Sequence, residues 1–224
     1  MIDVVKGGEH EKFAFLNAHG ANIAHSDQKY RQVLNQFTVF SDGIGVDVAS
    51  KILYGNSFPA NLNGTDFIPS LLSKLEAGTH VGLLGAQDGV AESAIVKLQS
   101  QFPELRFNFV HDGFFDAVEE QLILDKLTAD KPDILLVAFG NPKQEKWIAE
   151  TISSQHANAV FGVGALFDFI AERVPRAPQL LISLRMEWLY RLMLEPKRMW
   201  RRYILGNPLF VLRVLKQKLL GEIE

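Results

Sequence analysis

The stretch ILLVAFGNPKQEKWIAE, at residues 134–150, decides the fold. Residues 134–139 form an unbroken apolar run, which is typical of a strand buried on both faces of a parallel sheet. Gly140 and Asn141 then provide a turn, and Pro142 has a backbone that suits the first turn of a helix. The stretch therefore predicts a strand, a tight turn and a helix over residues 142–154.

The same unit recurs through the first 172 residues. Predicted strands lie at 13–16, 37–40, 80–84, 105–110, 134–139 and 157–161, and predicted helices at 45–54, 66–77, 89–101, 115–129 and 142–154. Gly55 and Gly78 are placed for helix C-caps, and Thr65 is placed for an N-cap. Strands and helices alternating at this spacing predict right-handed crossovers and a Rossmann-like α/β body, with a parallel sheet flanked by helices.

The tail has a different composition. Residues 173–224 contain eleven Lys/Arg and four Glu, a net charge of +7, whereas residues 1–172 carry −10. We predict a helical tail with breaks at Pro196 and at residues 206–208. The sequence thus predicts an α/β body at 1–173 and a basic helical appendage at 174–224 that meets something anionic.

Composition excludes several classes of protein. Hydrophobic residues make up 47% and charged residues 22% of the chain, which excludes intrinsic disorder, and the absence of cysteine excludes thiolate chemistry. The first twelve residues lack the apolar region of a secretory signal, and no apolar run approaches the ~18 residues of a membrane-spanning helix. We expect a soluble or peripheral intracellular protein.

Glycine follows five consecutive predicted strands, in segments 41–45, 85–89, 111–113, 140–144 and 162–164. Ligands of open parallel sheets bind beyond the carboxyl ends of the strands, so this pattern favours a phosphate-bearing ligand over ordinary loops. The predicted nucleotide-binding residues are Gly85, Gly140, Asn141, Lys143 and Gly162. The alternative for Lys143 and Glu145 is a solvated first helical turn.

Familiar signatures of other sites are missing. The chain has no P-loop, its two Gly-x-Gly segments lack the third glycine of the dinucleotide fingerprint, and neither D-x-D nor H-E-x-x-H occurs. A phosphotransferase or an oxidoreductase therefore has little support. No metal-binding residues and no cofactor are predicted.

Asp42 is the strongest catalytic candidate, because a carboxylate between a buried strand and flexible glycines can be partly desolvated and act as a base. The alternative is that Asp42 caps the next helix. The competing carboxylates are Asp66, Asp88, Asp112 and Asp168. Asn17, after the first strand, can either bind a sugar hydroxyl or serve as a turn residue.

Arginines recur in the tail. Arg198 follows Arg191 by seven residues and precedes Arg201 and Arg202 by three and four, a spacing that clusters them on one side of a helix. Arginine outnumbers lysine seven to one over residues 173–202, and its forked side chain suits phosphate recognition. The alternative is a helix with a charged outer face.

The chain also resembles, over nearly its whole length, the WecG/TagA/CpsF glycosyltransferases, or glycosyltransferase family 26. The segments that carry the resemblance are SDGIGV (41–46), NGTD (63–66), VGLLG (81–85), LVAFGNPKQEKW (136–147), GVGALFDF (162–169), RAP (176–178), EWLYRL (187–192), EPKR (195–198) and WRRY (200–203). Together and in this order they are highly specific.

The resemblance implies an inverting, metal-independent enzyme that moves a sugar from a UDP-sugar to a polyprenyl-pyrophosphate-linked sugar. Asp42 matches the base and Gln144 the residue beside the donor sugar. Arg191, Arg198 and Arg201 match arginines that complete the site over the pyrophosphate. The first strand of relatives often ends Thr-x-Asn, whereas here Phe15 takes the Thr position and Asn17 is kept for substrate binding.

The resemblance also implies a place and a product. We expect a peripheral protein on the cytoplasmic face of an anionic membrane that helps to make a cell-surface polysaccharide or teichoic acid, and that can form a homo-oligomer. N-acetylmannosamine or a related hexose or uronic acid is the expected donor sugar. The competing prediction is a nucleotide- or nucleic-acid-binding module, but a body of net charge −10 argues against nucleic acid.

Overall fold

A computed structural model describes residues 2–5 and 10–221. Residues 1, 6–9 and 222–224, which include part of the N-terminal segment and the end of the predicted appendage, lie outside this description. The strands are β1 Glu11–Leu16, β2 Thr38–Ser41, β3 His80–Gly85, β4 Arg106–His111, β5 Ile134–Ala138 and β6 Ala159–Gly162. Each lies within two residues of a predicted strand.

The strands form one parallel sheet in the order β2-β1-β6-β5-β3-β4. The three strands β3, β5 and β6 are almost wholly buried, whereas the edge strands β2 and β4 are partly exposed. Apolar residues on both faces of a central strand are buried by helices on each side of the sheet. The Rossmann-like α/β fold predicted from the sequence is confirmed.

The helices before the tail are α1 Ile2–Val5, α2 Ala18–Ser26, α3 Gln28–Leu34, α4 Ile44–Tyr54, α5 Gly64–Leu72, α6 Val90–Gln101, α7 Ala117–Asp130, α8 Lys143–Thr151 and α9 Leu166–Ile170. The left-handed C-cap at Gly55 is confirmed. The cap assigned to Thr65 is wrong, because α5 already begins at Gly64. Gly78 has a left-handed backbone but lies six residues beyond the end of α5, so it is not a cap.

The tail is helical, as predicted. Its elements are α10 Gln179–Ser183, α11 Glu187–Leu194, α12 Pro196–Trp200, a π-helical segment at Arg201–Leu205, and α13 Gly206–Leu220. Pro196 does interrupt the helix, but the break predicted at 206–208 is wrong, because the backbone stays helical from Trp200 through Gly206. In the described part of the chain, no helix has the length and apolarity needed to cross a bilayer.

The chain divides into two compact units. The sheet unit comprises Met1–Ala14, Gln32–Val39 and Gly64–Val174, and the arginine unit comprises Phe15–Arg31, Phe40–Asn63 and Pro175–Glu224. The tail therefore forms a unit together with two segments of the predicted body.

Candidate active site

Asp42 lies directly beyond β2 in the arginine unit, where its carboxylate is held by Asn17. The Asp42 N–H donates to the carbonyl of Leu16 over 2.9 Å, and Asn17 Nδ2 donates to Asp42 Oδ2 over 3.1 Å. Both side chains are half-buried. A half-buried carboxylate that a hydrogen bond holds in place can meet a substrate hydroxyl, which is what a general base needs.

Asn17 has its own orientation fixed by α2. It is the N-cap residue, and its Oδ1 accepts from the Gly20 N–H over 3.1 Å. Because the oxygen faces that donor, Nδ2 must face Asp42. Asn17 is thus a capping residue that also positions a carboxylate, and its predicted binding of a sugar hydroxyl stays a prediction.

Asp42 does not cap the helix that follows it. The N-cap of α4 is Gly43, which makes no side-chain capping bond. The Gly43 backbone has φ of 91°, and its N–H donates to Asn61 Oδ1 over 2.7 Å. The alternative interpretation of Asp42 as a helix cap is therefore wrong.

Arg202 brings positive charge to this carboxylate. Its guanidinium interacts electrostatically with Asp42, Arg191 and Arg198. Burial lowers the pKa of Arg202, Tyr203 and Asp42 raise it, and Arg191 and Arg198 lower it further. The Arg202 Nε is buried and has no hydrogen-bond partner among the described residues. A guanidinium group with a buried N–H that lacks a described partner, and with two other arginines close by, has the charge and the donor needed to bind an anion.

The three arginines assigned from the sequence have different surroundings. Arg191 is half-buried, Arg198 donates to the Glu195 carboxylate over 3.2 Å, and the exposed Arg201 has its Cζ 5.4 Å from the centre of the Trp200 ring. Arg191 and Arg198 therefore join Arg202 in one electrostatic cluster. The ligand-binding roles of Arg191, Arg198 and Arg201 stay predictions.

Nothing in the sequence indicated a role for His19. Arg202 was grouped with the other tail arginines but was not assigned to the site. His19 is the second residue of α2, and burial first, then the charge of Arg202, lowers the pKa of its imidazole. At neutral pH it is thus an uncharged hydrogen-bonding group beside a cation. The four-residue spacing of Arg198 and Arg202 carried a signal for the second residue, but nothing local marks His19.

The tail is attached firmly within the arginine unit. Phe210 and Val214 of α13 are buried with Ala49 of α4 in one apolar cluster. Asn22 of α2 donates to the Gly206 carbonyl over 2.7 Å, and its Oδ1 accepts from Arg213 over 2.7 Å. These contacts place the helices that carry Asn17, Asp42 and the arginines in a defined arrangement.

In the sheet unit, Gln144 joins two strand ends. Its Oε1 accepts from the N–H of Gly140, after β5, and from the N–H of Gly164, after β6, each over 3.0 Å. Its Nε2 donates to Glu145 Oε1 over 2.7 Å. The side chain is 1% exposed. Gln144 is therefore a bridging group of the glycine turns, and its role beside a donor sugar stays a prediction.

The other predicted nucleotide-binding residues surround this bridge or lie near it. Gly85 has φ of 116°, and a Cβ there would meet the Ala138 backbone at 2.8 Å. A Cβ on Gly162 would meet Gln144 Nε2 at 2.9 Å. The exposed Lys143 donates to the Gly113 carbonyl over 3.1 Å and lies above the Phe139 ring, and Asn141 is half-buried. Nucleotide binding by Gly85, Gly140, Asn141, Lys143 and Gly162 stays a prediction.

Glu145 is wholly buried, so its interpretation as part of a solvated helical turn is wrong. Burial raises the pKa of the Glu145 carboxyl to about 7, against the opposing effects of the hydrogen bonds from Gln144 and from its own backbone. The residue therefore changes charge near neutral pH inside the sheet unit.

Glu145 should make the stability of the protein depend on pH. A carboxyl whose pKa is higher in the folded than in the unfolded state stabilises the fold at pH values below its pKa in the unfolded chain. That contribution is lost as the pH rises through the folded-state pKa of about 7. The full loss is about 3 kcal/mol. Urea unfolding at pH 5 and pH 8 should show a smaller difference for Glu145→Gln than for the wild type. Exposed Glu150, on the same helix, provides the control Glu150→Gln; equal pH dependence in all three proteins would contradict this expectation.

The competing carboxylates are placed differently from Asp42. Asp66 lies in the first turn of α5 and Asp88 is an exposed turn residue before α6. Asp112 accepts from the Phe114 N–H over 2.7 Å, and Asp168 lies within α9. Among the side chains that the structure describes, no three of His, Asp or Glu are grouped so as to hold a metal ion.

Comparison with known proteins yields one family and several relatives. The profile of the Glycosyl transferase WecG/TagA/CpsF family matches residues 1–223. The chain is 32% identical over 205 residues to the N-acetylglucosaminyldiphosphoundecaprenol N-acetyl-beta-D-mannosaminyltransferase of Bacillus subtilis (strain 168), which covers 91% of this chain and 78% of that protein. Proteins of the same name from Bacillus spizizenii and Staphylococcus aureus (strain NCTC 8325 / PS 47) are 32% identical over 215 residues and 31% identical over 205 residues. They cover 94% and 90% of this chain, and 82% and 78% of their own lengths.

Proposed function

Because the chain belongs to the WecG/TagA/CpsF glycosyltransferase family, we propose that it transfers a sugar from a UDP-sugar to a polyprenyl-diphosphate-linked sugar, with inversion at the anomeric carbon. The donor sugar is N-acetylmannosamine or a related hexose or uronic acid, and the product contributes to teichoic acid or another cell-surface polysaccharide. The observation that carries this proposal is the Asp42 carboxylate, oriented by Asn17 at 3.1 Å beside the charge of Arg202.

Asp42 supplies the base in this reaction. Direct displacement requires a group that takes the proton of the acceptor hydroxyl as its oxygen attacks the anomeric carbon. The C1–O bond to UDP breaks as the new C1–O bond forms, and UDP leaves with the electron pair. Asn17 keeps one carboxylate oxygen in place, which lowers the reorganisation that the step needs.

The arginine cluster supplies positive charge for diphosphate. Arg191 and Arg198 each repel Arg202, and a bound anion would relieve that repulsion. Charge that develops on a leaving diphosphate is stabilised most by donors already in place. The cluster therefore supports a reaction in which arginines, rather than a metal ion, oppose that charge.

Single displacement agrees with the linkage in the names of the relatives. Those names specify a β-linked mannosaminyl product. UDP-hexosamines commonly carry the sugar in the α configuration, so one inversion gives the β product. We take this agreement as support for inversion here.

The exposed surface of α13 supports binding of the tail to the cytoplasmic face of an anionic membrane. Leu212 and Leu219 of α13 are 64% and 84% exposed, and Leu209 and Leu215 are partly exposed near them. Lys216 and Lys218 lie on the same helix. An apolar stripe with adjacent lysines binds anionic bilayers by interfacial burial and by attraction to the lipid headgroups.

The double substitution Leu212→Glu with Leu219→Glu should lower binding to anionic liposomes at least about tenfold, because it replaces apolar burial with like-charge repulsion. Co-sedimentation at low and high salt measures this effect. Leu122→Glu, at a comparably exposed site on α7, is the matched control and should bind as the wild type does. Equal liposome binding by all three proteins would remove α13 from membrane association.

The proposal is tested with a panel of UDP-sugars and a lipid-diphosphate-linked N-acetylglucosamine acceptor, with and without EDTA. We expect one donor to give a product of one added sugar, with a rate that EDTA leaves unchanged within about twofold, since the arginines stabilise the leaving group. Loss of activity in EDTA that Mg²⁺ or Mn²⁺ restores would contradict the metal-independent step. No transfer from any donor would contradict the proposed function.

A further inference from the structure

Glu145 is a buried acid with a defined partner and no function in the reaction described above. It is 0% exposed, and its Oε1 accepts from Gln144 Nε2 over 2.7 Å. Its Oε2 is buried without a hydrogen-bond partner among the described residues. A side chain needed for packing alone would be accommodated at lower cost without a carboxyl group. The buried carboxyl group is therefore best explained by the hydrogen bond that it accepts from Gln144.

The orientation of the Gln144 carboxamide determines what it can hold together. Its oxygen faces two backbone N–H groups, those of Gly140 and Gly164. Backbone N–H groups only donate, so a carboxamide turned by 180° would place donors against donors. Glu145, which offers an acceptor at the other end of the group, favours the orientation that keeps both turns attached.

The two turns lie at the ends of adjacent strands. Strands β5 and β6 are paired in parallel, with Val137 opposite Gly162, so residues 140–141 and 162–164 follow neighbouring strand ends. Gly162 leaves the space that Gln144 occupies, since a Cβ there would lie 2.9 Å from Nε2. One carboxamide thus sets the spacing of two glycine turns at a sheet edge where ligands of such folds bind.

We propose that Glu145 is a positioning residue for the UDP-sugar: it orients the Gln144 carboxamide, which holds the turns at Gly140 and Gly164 at the spacing that the donor requires. The role in donor binding rests on the function proposed above. The attachment of the turns concerns the chain alone and is measurable without any substrate.

Amide hydrogen exchange tests the attachment directly. Glu145→Met keeps the side-chain volume but removes the acceptor, and it should speed exchange at the Gly140 and Gly164 amides at least about tenfold. Glu145→Gln keeps an acceptor oxygen and should restore slow exchange. Glu150→Gln, an exposed site on the same helix, is the control. Unchanged exchange at both glycines in Glu145→Met, or faster exchange of equal size at the amides of β3, would overturn the proposal.

Kinetics tests the consequence for the donor. Glu145→Met should raise the KM for the UDP-sugar about tenfold with little change in kcat, and Glu145→Gln should recover most of it. In a Gln144→Ala background, Glu145→Met should add nothing further, because a residue that acts through another loses its effect when that residue is gone. Additive effects would assign Glu145 a separate role and overturn the proposal.

A measurement on the wild type guards against a variant that does not fold. The Gln144 carboxamide protons should exchange slowly with solvent, since Nε2 donates to a buried acceptor; exchange at a solvent-exposed rate would overturn the proposal. Failure of every UDP-sugar to react, with the exchange results as expected, would contradict the proposed function and leave the attachment of the turns intact.

Discussion

Replacing Asp42 with Asn should lower transferase turnover by about 10² to 10⁴, the range expected for loss of a general base. Asparagine has nearly the same shape but cannot take a proton from the acceptor hydroxyl. The Asp42 carboxylate meets Asn17 over 3.1 Å, so the amide occupies the same place with little disturbance. Steady-state kinetics measures turnover, and calorimetry should show UDP affinity near the wild-type value.

Asp88→Asn is the matched control for this experiment, because Asp88 also follows a strand but is an exposed turn residue. It should turn over at the wild-type rate. Near-normal turnover in Asp42→Asn, or an equal loss in both variants, would remove Asp42 from the role of base.

Replacing Arg202 with Met should lower kcat/KM by about 10², as expected when one preorganised donor to a developing anion is removed. Methionine retains much of the packing of the aliphatic stem. The variant should be at least as stable as the wild type, since it removes the desolvation cost of a buried cation, which is the largest effect on Arg202. A stable protein with a large loss of activity distinguishes a binding role from a structural one.

The control is Arg31→Met, at an exposed site in the same unit, which should leave kcat/KM unchanged. Wild-type activity in Arg202→Met would show that residues other than Arg202 bind the diphosphate. A loss of activity that follows a loss of stability would make Arg202 a structural residue.

Sequence reasoning located all six strands because each has a strong local signal. The fully apolar run of β5 is the clearest case, since a strand buried on both faces needs no alternation. The helix α2 was missed for the opposite reason. Its sequence, AHGANIAHS, has a glycine at its third position and, apart from its three alanines, no strong helix former. It depends on contacts with α13, nearly 200 residues later, which no local pattern reveals.

The same difference between local sequence signals and long-range contacts explains which site residues were predicted correctly. Asp42 was found because it directly follows a strand, and Gln144 because its segment is distinctive. The solvated position considered for Glu145 was wrong, because a charged residue in a first helical turn is usually exposed. Its burial results from the packing of the folded chain and has no local signal in the sequence. Arg202 was grouped with the other tail arginines but was not assigned to the site, because its proximity to Asp42 depends on how the π-helical segment packs near the residues that follow β2.

The anomeric configuration of the product tests the account most directly. The protein is incubated in EDTA with an α-linked UDP-sugar and a lipid-diphosphate-linked N-acetylglucosamine, and the new linkage is assigned by NMR. We expect wild-type protein to form a β-linked disaccharide, at a rate that falls in Asp42→Asn and Arg202→Met. An α-linked product would contradict single displacement with Asp42 as base.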